Sequence, residues 1–280
     1  MDVGIGLPNA VPGTTGEQLT EFARRAEARG FSTLGTIDRV AYANYEPLTA
    51  LAAAAAVTDR IGLCTSVLLA PLRVNAVAVA KQTLSLQALS GGRLTLGIAP
   101  GGREDDYGVA GVEMKTRGRD LDAMLERMKE VWEGEEVGPP TKAPRLLIGG
   151  SVEASFQRAA RFGDGWIAAG APADQFAGMR EQVEAAWSGA GRDGRPQTAA
   201  LAYFSLGERA EENARAYLTD YYGWLGEETA AFIADSAAKD AETAKRYVSA
   251  FAEAGCGELV LFPSSGDPEQ ADLLADALGM

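Results

Sequence analysis

The sequence predicts an α/β fold in which eight strand–helix units close into a (β/α)8 barrel, the TIM-barrel architecture, in one domain spanning residues 1–280. Apolar strand-like segments alternate with amphipathic helical segments along the whole chain. Residues 58–102 follow the pattern of strand, Pro-containing loop, helix, Gly-Gly turn, strand and Gly-rich loop, which is typical of a parallel winding. The length of 280 residues also fits one barrel, which typically takes ~250 residues.

The first half of the chain contains four predicted strands. Residues 3–7 form an apolar strand that ends at Pro8-Asn9. An amphipathic helix over residues 14–29 follows, and Gly30 closes it as a C-cap. The remaining predicted elements of this half are a strand over 32–37, a helix over 48–57, a strand over 61–66, a helix over 75–89 and a strand over 94–98.

The second half continues the alternation after a long helix over residues 118–132 with apolar residues at core spacing. Predicted strands occupy 145–148, 165–168, 198–206 and 258–262, and predicted helical segments occupy 152–162, 174–187, 208–238, 241–254 and 268–278. A doubly wound sheet is the competing architecture, but its first strand–helix turn is Gly-rich. The corresponding segment here, LPNAVPG, matches that pattern poorly, so the barrel is favoured.

Composition excludes several kinds of chemistry. The chain has no histidine, which excludes Ser-His triads, a histidine general base and His-ligated metal sites, so no metal site is predicted. The two cysteines, Cys64 and Cys256, lie far apart in strand segments and are expected to be buried free thiols. A net charge of −13 argues against nucleic-acid binding. With neither a membrane-length apolar run nor a secretory signal in view, we expect a cytoplasmic protein without a membrane partner.

Residues that follow strand C-termini are the candidates for chemistry, because barrel active sites lie on that face. Asp38 and Arg39 follow the second predicted strand and form either an acid–base pair or a salt bridge at the barrel rim. Arg103, in the loop after the fourth strand, suits a phosphate or carboxylate, and a surface ion pair with Glu104 or Asp105 is the alternative. Aromatic residues near this face either line a flat pocket or simply pack: Tyr42, Tyr45, Tyr107, Trp224 and Phe262.

The turn Gly149-Gly150-Ser151 stands just before a predicted helix N-terminus. Free backbone amides and the helix dipole make such a turn an anion site, to which the hydroxyls of Ser151 and Ser155 can add donors. The alternative is an ordinary turn in which a serine caps the helix. The sequence alone leaves both interpretations open.

In order along most of the chain, these segments resemble the bacterial luciferase-like family of flavin-dependent oxidoreductases, which use FMN or the deazaflavin coenzyme F420. The most specific blocks are TDRIGLCTSVLLAPLR, AVAKQTLSLQALSGGRLTLGIAPGGRE and PRLLIGGSVEASFQRAARFGDGWI. Residues 189–240 are less diagnostic. The resemblance implies a barrel oxidoreductase, either a monooxygenase or an F420-dependent reductase or dehydrogenase, that acts on a small organic substrate.

The resemblance also assigns site residues. It implies that Leu7 and Asp38 border the isoalloxazine ring and that Thr65-Ser66-Val67 carries a non-proline cis peptide that bulges against it. It further implies that Gly149, Gly150 and Ser151, assisted by Ser155, hold the cofactor phosphate. Arg103 completes the expected cofactor-binding set, while Asp38 and Arg39 are the expected catalytic residues.

One departure from the family pattern affects the mechanism. Many F420-dependent members have histidine where this chain has Arg39, which puts a dehydrogenase with a histidine base in doubt and leaves a non-catalytic flavin-binding protein as the alternative. A composition rich in Ala and Gly, with Arg favoured over Lys, looks actinobacterial and gives F420 a slight preference over FMN. The acidic tail of F420 would meet Arg39, Arg73, Arg103 and Arg158. Expected partners are a small-molecule substrate, a second copy in a homodimer, and a separate flavin or F420 reductase.

Overall fold

The computed structural model describes residues 1–168 and 170–280. Within these residues, eight parallel strands close into a barrel in chain order, and the first strand pairs with the last. The strands are β1 (Asp2–Gly6), β2 (Thr33–Thr36), β3 (Gly62–Leu69), β4 (Leu94–Ala99), β5 (Arg145–Gly149), β6 (Gly165–Ile167), β7 (Gln197–Phe204) and β8 (Glu258–Pro263). The predicted (β/α)8 barrel is therefore confirmed.

Helices surround the barrel. They are α1 (Gly16–Arg29), α2 (Pro47–Ala55), α3 (Ala76–Leu89), α4 (Glu104–Ala110), α5 (Arg117–Glu133), α6 (Glu153–Phe162), α7 (Ala173–Gly189), α8 (Ala210–Tyr222), α9 (Glu227–Ser236), α10 (Ala241–Glu253) and α11 (Glu269–Leu278). The start of α1 shows how local sequence sets an element's bounds. Thr15 and Gln18 form a capping box at its N-terminus, and Gly30 ends it in the left-handed conformation predicted for that residue.

Two helical features differ from the sequence-based expectation. The short helix α4 was not predicted, and it forms where three acidic residues occupy a helix's first turn, the end that favours negative charge. The single helical segment expected over 208–238 is divided into α8 and α9 by a 3-10 turn, Gly223–Leu225. Gly226 follows that turn at φ +91°, a conformation that an α-helix does not continue through. Both features lie at the C-terminal face of the barrel.

Side chains alternate between two buried layers along the strands. Ile5, Leu34 and Leu63 pack in the large core between barrel and helices. Val260 and Phe262 belong to a second cluster, which includes side chains of β7 and α8. This alternation decides which strand residues reach the interior, because neighbouring residues of a strand face opposite sides.

Both cysteines are free and buried, as predicted, and burial raises the pKa of each thiol to about 12. They are therefore neutral at ordinary pH. Among the helices of residues 1–168 and 170–280, none combines the length and apolarity that crossing a membrane takes.

Candidate functional site

The C-terminal ends of the strands surround a cavity of about 200 Å³, which we call the mouth cavity. Its walls come from the loops after β2 and β4, from β3 and β7, and from the end of α8 with the 3-10 turn behind it. Asp38, Arg39, Ser66, Val67 and Arg103 all line it. The barrel thus brings together five of the predicted site residues, from two loops and one strand.

The floor of the mouth cavity is a bulge in β3. The Ser66–Val67 peptide is cis, which confirms the expectation drawn from the family resemblance. The pairing of β3 with β4 shifts register between Thr65 and Leu68. Thr65 Oγ1 donates a hydrogen bond of 2.7 Å to the Gly97 carbonyl and ties the bulge to β4. Ser66 and Val67 therefore project into the cavity, whereas Thr65 holds the bulge from behind.

Leu7 does not meet the expectation that its side chain borders a ring. It is 1% exposed and packs in the core between barrel and helices, because strand alternation turns it outward. Its amide donates to the Gly35 carbonyl at 2.7 Å, so the residue extends the pairing of β1 with β2. This corrects the role predicted for Leu7.

Asp38 places a buried carboxylate at the cavity wall. Its Oδ2 accepts hydrogen bonds from the Leu69 amide at 2.8 Å and from Arg73 Nη1 at 2.7 Å. Its Oδ1 is buried and has no hydrogen-bond partner among the described residues. Burial raises the pKa of Asp38, and the neighbouring Arg73 opposes that rise. An unpartnered carboxyl oxygen at a cavity wall is a ready contact for a bound ligand.

Arg39 is held in a buried ion-pair network. Its Nη2 lies 2.5 Å from Asp105 Oδ2, and its Nε lies 2.7 Å from Asp106 Oδ2. The arginine side chain is 3% exposed and that of Asp106 is 1% exposed. Asp106 Oδ1 also accepts hydrogen bonds from the Val40 and Ala41 amides. Arg39 therefore pairs with carboxylates of α4 rather than with Asp38, and it joins the loop after β2 to α4. Its expected catalytic role stays a prediction.

Arg103 has the opposite surroundings. No carboxylate of the described residues lies within 4.0 Å of it, so the expected ion pair with Glu104 or Asp105 is absent there. Its Nη1 donates to the Tyr221 carbonyl at 2.8 Å. Its guanidinium carbon lies 4.4 Å from the ring centre of Tyr221 and 5.0 Å from that of Trp224. The charge therefore rests on aromatic faces beside the mouth cavity.

The aromatic wall of the cavity comes mainly from residues that the sequence analysis missed. Tyr203, Tyr221 and Tyr222 line it together with Trp224, which was predicted. The hydroxyls of Tyr203 and Tyr222 are 2.9 Å apart, and burial raises the pKa of both phenols, so they stay protonated at neutral pH. The available signal was the aromatic run YLTDYYGWL at residues 217–225.

The other expected aromatics do not line the cavity. Tyr107 packs with Leu69 and Leu72, and its hydroxyl donates to the Pro100 carbonyl. Phe262 is buried in the cluster that contains Val260. For these two residues the packing alternative is correct.

The turn Gly149-Gly150-Ser151 lies beside the cavity and leaves backbone donors free. The amides of Ser151 and Val152 donate to no acceptor among residues 1–168 and 170–280. Gly150 takes φ +139°, a conformation suited to glycine, and its carbonyl accepts from Trp166 Nε1 at 2.7 Å. Val152 is the N-cap of α6 and makes no side-chain cap bond, so the alternative in which a serine caps the helix is wrong.

Val67 connects the two halves of the site. It lines the mouth cavity, and a Cβ added at Gly149 would come within 2.9 Å of Val67 Cγ1. Ser155 lies beneath the turn, where a Cβ at Gly150 would overlap its Oγ. A ligand bound against Val67 would therefore lie near the turn that carries the Ser151 and Val152 amides.

Most of the arginines expected to meet an acidic cofactor tail are neutralised. Arg73 pairs with Asp38 and with Glu46, at 2.7 and 3.0 Å. Arg158 Nε lies 2.5 Å from Asp122 Oδ1, on the side of α6 that faces α5. With Arg39 also paired, Arg103 alone of the four has no ion pair among the described residues, which corrects the cationic argument for F420. In the described part of the chain, no group of three or more His, Cys, Asp or Glu side chains could hold a metal ion.

Comparison with known proteins gives a family and a set of relatives. A family model described as luciferase-like monooxygenase matches residues 1–272. An uncharacterized protein of Mycobacterium tuberculosis is 34% identical over 173 residues, which is 56% of this chain and 61% of that protein. An F420-dependent glucose-6-phosphate dehydrogenase of Amycolatopsis mediterranei is 28% identical over 175 residues, 53% of this chain and 52% of that protein. The matched region thus spans less than two thirds of either relative's length.

Solved structures share the fold at low sequence identity. An F420-dependent secondary alcohol dehydrogenase, in complex with an F420-acetone adduct, superposes with a TM-score of 0.83 at 18% identity over 99% of this chain and 98% of that one. The oxygenating constituent of 3,6-diketocamphane monooxygenase from Pseudomonas putida, in complex with FMN, gives 0.71 at 16% identity over 99% and 98%. At such identities the likeness concerns the fold alone. The family match over residues 1–272 carries more, and the chain belongs to the luciferase-like monooxygenase family.

Proposed function

We propose that the protein is an oxidoreductase that uses reduced F420 or FMN on a small organic substrate bound at the barrel mouth. The observation that carries this proposal is the bulge in β3 at Ser66 and Val67, which forms the floor of a cavity whose wall holds Asp38 Oδ1, an atom without a hydrogen-bond partner among the described residues. A flat ring would lie on Val67, with Asp38 beside it.

The donors present fit such a cofactor. The free amides of Ser151 and Val152 at the start of α6 suit a phosphate, and the hydroxyls of Ser151 and Ser155 add to them. The cavity volume of about 200 Å³ falls below the ~300–1,000 Å³ of typical ligand sites. We therefore expect a bound ring to extend out of the mouth cavity, past Trp224, which is 50% exposed.

Asp38 is our proposal for the residue that exchanges a hydrogen bond or a proton with the bound ligand. Its raised pKa brings it closer to the working pH, which favours proton transfer. Arg39 is already paired with Asp105 and Asp106, so we assign no proton transfer to it. A reduced flavin or deazaflavin supplies hydride, and reduced flavin also activates oxygen, while the protein positions the reactants and excludes water.

F420 keeps a slight preference over FMN. Its support is the F420 dependence of the dehydrogenase relative from Amycolatopsis mediterranei. The likeness to the pyrimidine monooxygenase of Stutzerimonas stutzeri, 24% identical over 220 residues, supports an oxygenase as the other possible activity.

We further propose a homodimer that receives its reduced cofactor from a separate reductase.

Titration of the purified protein with F420 and with FMN, followed by visible absorbance, tests the proposal. We expect saturable binding of one cofactor at micromolar concentration and little binding of the other. Turnover with the reduced cofactor is then measured on a panel of alcohols, ketones and enones. Failure of both cofactors to bind would contradict the proposal.

Changing Gly150 to Ala should weaken cofactor binding by about tenfold or more, because the added Cβ overlaps Ser155 Oγ and φ is +139°. The matched control is Gly178→Ala in α7, where a Cβ meets nothing within 4 Å. The control should bind the cofactor like the unmodified protein. Equal affinities in all three proteins would remove the turn from the binding site.

A non-catalytic cofactor-binding protein is the second candidate. The observation that favours it is the paired state of Arg39, at the position where the family resemblance leads us to expect a histidine. Tight cofactor binding without turnover on any substrate of the panel would support this candidate. Turnover on any one of them would exclude it.

A further inference from the structure

The ionisable side chains that line the mouth cavity are not all compensated. Arg39 and Asp106 neutralise each other, and the buried Asp38 lies 2.7 Å from Arg73. Arg103 also lines the cavity, yet no carboxylate of the described residues pairs with it. It is the cavity's one cationic side chain without an opposite charge in the part of the chain that the structure describes.

The acidic residues nearest to Arg103 in sequence are engaged elsewhere or face solvent. Asp105 and Asp106 pair with Arg39. Glu104 is exposed in the first turn of α4. The free energy that an ion pair would contribute at Arg103 is thus left available for a ligand.

The guanidinium of Arg103 is also positioned. Its contacts with the faces of Tyr221, Tyr222 and Trp224 and its hydrogen bond to the Tyr221 carbonyl restrict its rotamer. One of its five N–H groups is used by that bond, and the others donate to no acceptor among residues 1–168 and 170–280, so they remain for a planar acceptor. A carboxylate is the group that such a fork binds with two parallel hydrogen bonds.

Apolar and aromatic surface adjoins this charge. Leu201 and Tyr203 line the same cavity, while the turn expected to bind the cofactor phosphate does not. We propose that the substrate is an organic anion, with an apolar or aromatic body against these side chains and a carboxylate on Arg103. This inference deepens the proposed function by naming its substrate class, and it moves Arg103 from the cofactor to the substrate.

The test uses sodium benzoate and benzyl alcohol as probes, because they share a ring and differ in the charged group. Calorimetric titration at constant ionic strength, with and without the cofactor, compares the unmodified protein with Arg103→Met and Arg103→Lys. The matched control is Arg119→Met, whose side chain is 79% exposed on α5. We expect the unmodified protein and the control to bind benzoate about tenfold or more tightly than benzyl alcohol.

In Arg103→Met that preference should disappear, and in Arg103→Lys part of it should remain, since lysine keeps the charge without the fork. Equal losses for both probes in Arg103→Met would overturn the proposal and make Arg103 a clamp on Tyr221 and Trp224. Loss of cofactor binding with unchanged benzoate preference would also overturn it and return Arg103 to the cofactor. Because the probes are also titrated without cofactor, the benzoate preference can be measured even if neither F420 nor FMN binds. Failure of the proposed function is therefore distinguishable from failure of this inference.

Discussion

Arg39 follows β2 and Arg103 follows β4, and both line the mouth cavity, yet their surroundings differ. Arg39 is 3% exposed on its side chain and pairs with two aspartates. Arg103 lies on three aromatic rings and pairs with no carboxylate among the described residues. The difference shows that a charge at a strand's C-terminal end becomes available to a ligand only where the surrounding loops leave it uncompensated.

The helix α4 creates this difference. Its acidic residues lie two and three positions after Arg103 in sequence, but their carboxylates reach Arg39, 66 and 67 positions away. Asp106 is further fixed by the amides after Arg39. The carboxylates of this short helix thus neutralise Arg39 and leave the charge of Arg103 without an ion pair among the described residues.

The largest expected effect comes from Arg39→Met, which leaves Asp106 buried without its counter-charge. Removing one partner of a buried pair costs about 3–5 kcal/mol in the free energy of unfolding. Urea unfolding followed by circular dichroism measures it. A loss below about 1 kcal/mol would mean that the pair does not hold the loop after β2 to α4.

Arg103→Met should cost far less, about 1 kcal/mol, because only contacts with aromatic faces and one hydrogen bond are lost. The same urea unfolding experiment compares it directly with Arg39→Met. If both variants lose the same stability, the two arginines have the same structural role and the comparison fails.

The smallest effect concerns the pH dependence of stability at Asp38. Burial raises the pKa of Asp38 above the usual 3.8. Its contribution to the free energy of unfolding is therefore present below pH 3.8 and is lost as pH rises through the folded-state pKa. The stability of the unmodified protein relative to Asp38→Asn should therefore fall as pH rises from about 3.8.

Glu27 provides a control of opposite sign. Burial raises its pKa, but hydrogen bonds from the Ile61, Arg60 and Asp59 amides outweigh this and lower it below 4.5. The unmodified protein should thus be more stable than Glu27→Gln above pH 4.5, and this difference in the free energy of unfolding should be lost as pH falls. Thermal unfolding across pH measures both variants, and parallel curves for the two would contradict the assignments.

The sequence was sufficient for the barrel and for parts of the site that depend on local pattern. Hydrophobic periodicity and glycine turns predict the order of strands and helices, and the bulge at Ser66–Val67 was expected from the family resemblance. The side that Leu7 faces was missed, because a shift of one residue along a strand reverses it. The free amides of the turn were predicted from the helix start, a local feature.

Pairing between distant residues was beyond sequence reasoning. The partners of Arg39 and Arg158 come from other elements, and a single sequence does not show which acid approaches which base. The aromatic wall was likewise missed, since the break between α8 and α9 decides that Tyr221 and Tyr222 turn towards the mouth. Tertiary packing, rather than local propensity, determines both.

The central claim is that a flat redox cofactor lies on the bulge in β3 with its phosphate at the start of α6. The most direct measurement is a crystal structure of the protein with whichever cofactor saturates it. We predict the ring against Val67 and a phosphate within hydrogen-bond distance of the Ser151 and Val152 amides. A cofactor bound elsewhere, away from Val67 and from these two amides, would contradict the proposed site.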